Sequence, residues 1–168
     1  MVRGPSLAAL ALVLAGCGGG DPAVRGLALG LLDDPWTGGS IPAGQQCRAE
    51  GGSGAIPAIR IAGLPDDTAA VRIAVNDVDD PALATGGGHG VVEISHSDGG
   101  PVMLTRPIPG ETATMLPGVT LVSPARVEGA VGYLPPCGRQ SHLYVAEVTA
   151  LRADGVPLAA GTLRLGRY

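Results

Sequence analysis

Phenylalanine is absent from this 168-residue chain, and one Trp with three Tyr makes up its whole aromatic complement. The chain is nonetheless 45% hydrophobic, so Val, Leu and Ala have to fill any core, which predicts small packed side chains and a modest stability margin rather than aromatic stacking. Cations are scarce too. Eleven Lys+Arg against fifteen Asp+Glu leave a net charge of −4, which excludes the basic footprint that nucleic acid demands. No Gly-x-Ser-x-Gly elbow marks a hydrolase nucleophile, and neither His-Glu-x-x-His nor Cys-x-x-Cys marks a metal site. The Gly-rich stretches at 51–54, 85–88 and 98–100 open no helix whose N-terminus could hold a phosphate, so they read as turns. Ser95-His96-Ser97-Asp98 reads as a surface turn rather than a catalytic triad, and no cofactor is implied anywhere.

Long helical periodicity is missing after the first residues, whereas short alternating or apolar runs are punctuated by Gly, Pro and Asp about every ten residues. With 28 Gly and 15 Pro, this pattern predicts an all-β domain with few or no helices. Expected strands cover 26–31, 58–62, 71–76, 91–95, 102–105, 119–122, 143–150 and 162–165. Val71, Ile73 and Val75 alternate with Arg72 and Ala74, placing one side of that strand toward a core.

The N-terminus has the layout of an export signal: Arg3 is followed by a short apolar core, Leu7 to Leu14, too short to span a bilayer as a helix. Leu14-Ala15-Gly16-Cys17 looks like a bacterial lipobox, with cleavage before Cys17 leaving that cysteine to be lipidated; an ordinary secretory signal is the alternative. The expected organisation is a signal peptide at 1–16, a flexible tether at 17–25 and one domain at 26–168. Gly18 after the cysteine points to the outer membrane of a diderm bacterium, facing the periplasm.

Two polar clusters at strand ends carry the functional signal. The first joins Asn76-Asp77-Val78-Asp79-Asp80-Pro81 to Gly88-His89-Gly90-Val91-Val92, and the second is Pro135-Pro136-Cys137-Gly138, followed by Ser141-His142-Leu143-Tyr144. In order and spacing they resemble the phosphatidylethanolamine-binding protein family, especially its bacterial Raf-kinase-inhibitor-like branch. Upstream, Ser40-Ile41-Pro42, Cys47-Arg48-Ala49-Glu50-Gly51, Ile56-Pro57-Ala58-Ile59 and Ala62-Gly63-Leu64-Pro65 extend the likeness from about Gly26 to the end of the chain. The resemblance implies a β-sandwich with a small anion pocket lined by Asp77, His89, His142 and Tyr144, its walls shaped by Asp79, Pro81, Pro136 and Gly138. Asp77 reads equally as an Asx-turn residue, Tyr144 as a core aromatic, and Asp79 and Asp80 as solvated loop charges. A metal held by His89, His142 and Asp77 is a minority reading without a supporting motif.

Four departures stand out. Val78 and Asp80 replace a Pro and an Ala of the family loop; Gly88 and Gly90 flank His89 in place of bulky aromatics; Leu143 stands where the family has Arg; and residues 158–161 pass straight to a terminal strand without a late helix. They predict a more open pocket with a cationic contact missing. Once Cys17 is set aside for lipid, Cys47 and Cys137 remain as an even pair, for which export and the matching cysteines of bacterial relatives imply a disulfide; a catalytic thiol at Cys137 is the alternative. The functional expectation is a non-enzymatic binding module for a small phosphorylated or anionic ligand, with no nucleic-acid partner. The rival is an interaction protein with a vestigial pocket that modulates an envelope protease or kinase.

Overall fold

The computed structural model describes residues 25–138 and 141–168, so the signal, the lipobox cysteine Cys17 and most of the expected tether lie outside the described residues. Eleven strands follow in chain order: β1 (Arg25–Gly26), β2 (Ala28–Leu31), β3 (Ala55–Ile56), β4 (Ile59–Ala62), β5 (Ala70–Asp77), β6 (Gly90–Ser95), β7 (Val102–Leu104), β8 (Ile108–Pro109), β9 (Val119–Ser123), β10 (Leu143–Leu151) and β11 (Pro157–Arg167). A single 3-10 turn, Arg48–Glu50, is the one helical element among the described residues. The domain is all-β, as the sequence pattern predicts.

Six strands form one sheet in the order β1-β11-β10-β5-β6-β9, three form a second, β2-β4-β7, and β3 pairs with β8. The core lies between the large and the three-stranded sheet. From the first it receives Val71, Ile73 and Val75 of β5, Val92 of β6, Ala146, Val148 and Ala150 of β10 and Leu165 of β11; Ile59 and Ile61 of β4 come from the second. Branched and small side chains fill it, as the absence of Phe requires. The scarce aromatics are nevertheless spent there: Trp36, Tyr133 and Tyr144 are all buried in the same cluster.

Two expectations about strands and one about a turn need correction. The first strand is split at Leu27: Arg25 and Gly26 pair in parallel with Ala159 and Ala160 of β11, and from Ala28 the chain pairs with β4 instead, so this segment links the two sheets. Arg25, the last residue assigned to the tether, is thus in a strand. The terminal strand starts at Pro157 rather than Thr162, and residues 158–161 lie within it. His96 is not on the surface; it is buried, and its Nε2 lies 2.9 Å from the Gly100 carbonyl, closing its turn.

Candidate functional site

Asp77 ends β5 and stands directly opposite Tyr144 of β10, because the two strands pair antiparallel from Leu151↔Ala70 to Tyr144↔Asp77. His142 immediately precedes β10, and His89 immediately precedes β6, β5's other neighbour. Sheet topology therefore collects the four polar residues at one end of three adjacent strands. His142 Nδ1 is 2.7 Å from Asp77 Oδ2, and Asp77 Oδ1 accepts the Asp79 N–H at 3.0 Å. Asp77 is thus both the Asx-turn residue of its loop and the carboxylate partner of a histidine. The His89 and Tyr144 rings meet edge to face with centroids 5.1 Å apart, a favoured aromatic geometry.

Each ring has a second anchor. His89 Nδ1 is 2.8 Å from the Leu134 carbonyl, and the Tyr144 hydroxyl donates to the Cys137 carbonyl at 3.4 Å. Because a carbonyl oxygen only accepts, His89 carries its proton on Nδ1 and turns a lone pair on Nε2 outward from that bond. Burial pushes the His89 pKa below the usual histidine value, opposed by the Leu134 contact and the Asp77 charge. Burial also raises the Tyr144 phenol, and the nearby Asp77 charge adds to it. His89 and Tyr144 are therefore neutral at physiological pH.

The loop holding Leu134 and Cys137 is pinned from outside. Cys47 and Cys137 form a disulfide with Cα atoms 5.3 Å apart, and the Cys47 N–H donates to the Pro136 carbonyl at 2.9 Å. Pro136 is buried, whereas Pro81 and Gly138 are exposed.

The site is more closed than the sequence predicts. Asp77, His89 and Tyr144 are each 3% exposed or less, while the His142 side chain, at 26%, forms the accessible edge. The glycines around His89 open no gap. A Cβ on Gly88 would sit 2.2 Å from the Leu83 carbonyl oxygen, and one on Gly90 would sit 2.9 Å from the Tyr133 Cα at a left-handed φ of 117°. Backbone occupies the room that a side chain would need. Asn76 makes this fold-back possible, its Oδ1 accepting the N–H groups of Gly87 and Gly88 at 2.8 and 3.1 Å. Asp79 is likewise more than a solvated charge. Its Oδ2 accepts the Leu143 N–H at 2.8 Å and Arg167 Nη1 at 3.1 Å, and these contacts, the Leu143 N–H foremost, hold its carboxyl below the usual range. Asp80 caps a local turn through the Ala82 N–H. Sequence reasoning included Asn76 in the first cluster without assigning it this role, and it missed Leu134 and Arg167, which left no local trace.

No protein-family model matches the chain, and no curated protein does. Solved structures do. A phosphatidylethanolamine-binding protein homologue, CT736, from Chlamydia trachomatis superposes with a TM-score of 0.53 at 20% identity, covering 86% of this chain and 97% of its own. YbcL of Escherichia coli, described as a new member of the mammalian phosphatidylethanolamine-binding protein family, gives 0.53 at 20% identity, covering 84% and 97%. The fold is that of the phosphatidylethanolamine-binding proteins, as the resemblance in sequence implied.

Proposed function

We propose that this protein is a non-enzymatic binding module for a small phosphorylated ligand of the phospholipid head-group class. The observation that carries the reading is the Asp77–His142 pair at 2.7 Å, set beside the neutral His89–Tyr144 pair at the end of the sheet. Asp77 Oδ2 accepts from His142 Nδ1 and so fixes the orientation of that ring at the accessible edge of the site. His89 Nε2, in contrast, is an acceptor. A singly protonated phosphate monoester, whose oxygens accept and whose P–OH can donate to His89 Nε2, suits this polar end of the sheet. A phenol and two imidazoles without a built nucleophile favour binding over covalent chemistry.

Titration with inorganic phosphate and O-phosphoethanolamine, followed by calorimetry and the imidazole NMR signals, tests this reading. Binding should be weak, should shift the His142 and His89 signals together, and should weaken as pH rises from about 5.5 to 8 and the phosphate loses its second proton. His142→Ala should reduce it in a folded protein. Phosphate that moves neither histidine refutes the reading and favours the rival, an interaction protein modulating an envelope protease or kinase. That rival draws on a cleft of about 270 Å³ lined by Arg48, Glu111 and residues 127–134, with Val127 and Val131 exposed on its rim.

The module is further proposed to be a lipoprotein anchored at Cys17 in the outer membrane and facing the periplasm, a reading supported by the Leu14-Ala15-Gly16-Cys17 sequence. Cys17→Ser should abolish lipid labelling and release the protein from the membrane fraction. Wild type that remains membrane-bound with no label refutes it.

A further inference from the structure

Leu143 leaves the second cluster without a cation of its own, yet the register of β10 and β11 places Arg167 directly opposite it. Residues facing each other across an antiparallel pair project from the same side of the sheet, so Arg167 offers its guanidinium from the side Leu143 occupies. The register depends on a local irregularity: Tyr144 pairs with Gly166 but Val145 pairs with Arg164, so Leu165 is an extra residue that re-aims the end of β11. Gly166 accommodates it at φ 143°, where a Cβ would lie 2.8 Å from the Ser40 carbonyl carbon. The guanidinium is then fixed on the site's rim. Its Nη1 donates to the carbonyl of Ser141, next to His142, at 2.7 Å and to Asp79 Oδ2 at 3.1 Å. Asp79 in turn holds the Leu143 N–H, and its own N–H holds Asp77. Among the described residues Nη2 and Nε of Arg167 make no hydrogen bond, which leaves donors of a planar fork suited to phosphate oxygens.

We propose that Arg167 is the anion-contacting cation of this site, delivered across the strand pair to the place where Leu143 carries no charge. This rests on the phosphate-binding reading and assigns it a specificity residue. Asp79 holds part of the guanidinium's charge in the unliganded protein and so moderates affinity.

The test is titration of inorganic phosphate into purified wild type, Arg167→Ala, Arg167→Lys, Asp79→Asn and the Arg167→Ala/Leu143→Arg double variant, read by calorimetry and the His142 ring signals, with the fold checked by NMR. Arg167→Ala should weaken binding about tenfold or more, the usual effect of losing a charged hydrogen bond. Arg167→Lys should keep part of the affinity, and Leu143→Arg should restore it from the neighbouring strand. Asp79→Asn should tighten binding, because the amide oxygen still accepts the Leu143 N–H while the competing negative charge is gone. A merely structural Arg167–Asp79 tie gives the opposite sign. Should Arg167→Ala fail to fold, the sign of the Asp79→Asn effect decides. Wild type that binds phosphate, with His142→Ala weakening it and a folded Arg167→Ala unchanged, overturns the inference and leaves the binding reading intact. Wild type that binds no phosphate overturns both.

Discussion

Removing the Cys47–Cys137 bond should cost this domain a large part of its stability and disturb the candidate site at the same time. The bond spans a sequence separation of 90 residues. Restraining the unfolded chain over a loop of that length is worth about 4.6 kcal/mol at 25 °C in the chain-entropy picture, and native disulfides of small domains are worth about 2–5 kcal/mol. The Cys47→Ala/Cys137→Ala double variant, which leaves no odd thiol, should therefore be less stable by about 2–5 kcal/mol in equilibrium urea unfolding and melt roughly 10 °C lower. The site should respond as well, because the Cys137 carbonyl receives the Tyr144 hydroxyl and the neighbouring Pro136 carbonyl holds the Cys47 N–H. Shifted Tyr144 and His89 ring signals in the folded variant are the expected signature. Recovery of both cysteines as free thiols from oxidised, folded wild type would refute the reasoning. So would a double variant within about 1 kcal/mol of wild type, since the entropic restraint would then be largely absent.

Burial lowers the His89 pKa, so on acidification the unfolded chain takes up that proton first, and stability should fall as pH drops from the ordinary histidine value toward the lower folded one. His89→Gln should flatten this part of a urea-midpoint profile measured from pH 7.5 to 4.5, and a profile identical to wild type would contradict the burial argument. Gly88→Ala forces a methyl onto the Leu83 backbone and should cost about 1–3 kcal/mol with displacement of the His89 signals, visible in one thermal melt and one NMR spectrum. Asp77→Asn removes the carboxylate partner of His142 from a buried position and should cost about 1.5–3 kcal/mol while weakening phosphate binding; unchanged binding would show that the pair does not organise the site.

The long strands were legible because each repeats its burial pattern several times: Val71, Ile73 and Val75 announce β5, and the run from Leu143 announces β10. The two-residue strands β3 and β8 carry no period at all, and pairing alone defines them. Pro157 and Gly161 look like breakers, yet Pro157 sits at the first position of β11, where a missing N–H is tolerated. Gly161 lies where a Cβ would come within 3.1 Å of the Leu27 carbonyl, so it marks the close approach of the link between β1 and β2. At the site, Asp77, His89, His142 and Tyr144 were legible as residue types at strand ends. The consequences of Gly88, Gly90 and Arg167 were not. Whether a glycine opens space or admits another backbone depends on what packs there, and Arg167 meets Leu143 only through a one-residue register shift.

The parallel pairing of β1 with β11 orients the molecule. Arg25 lies beside Ala159, which is itself opposite Ala150, six positions along β10 from Tyr144 and the site. At a strand rise of about 3.3 Å per residue that is roughly 20 Å, so Arg25 lies well away from the Asp77–His142 end of the sheet. Arg25 and the Asp77–His142 pair thus lie toward opposite ends of the sheet. The first described residue is therefore set apart from the residues proposed to bind phosphate by most of the length of β10.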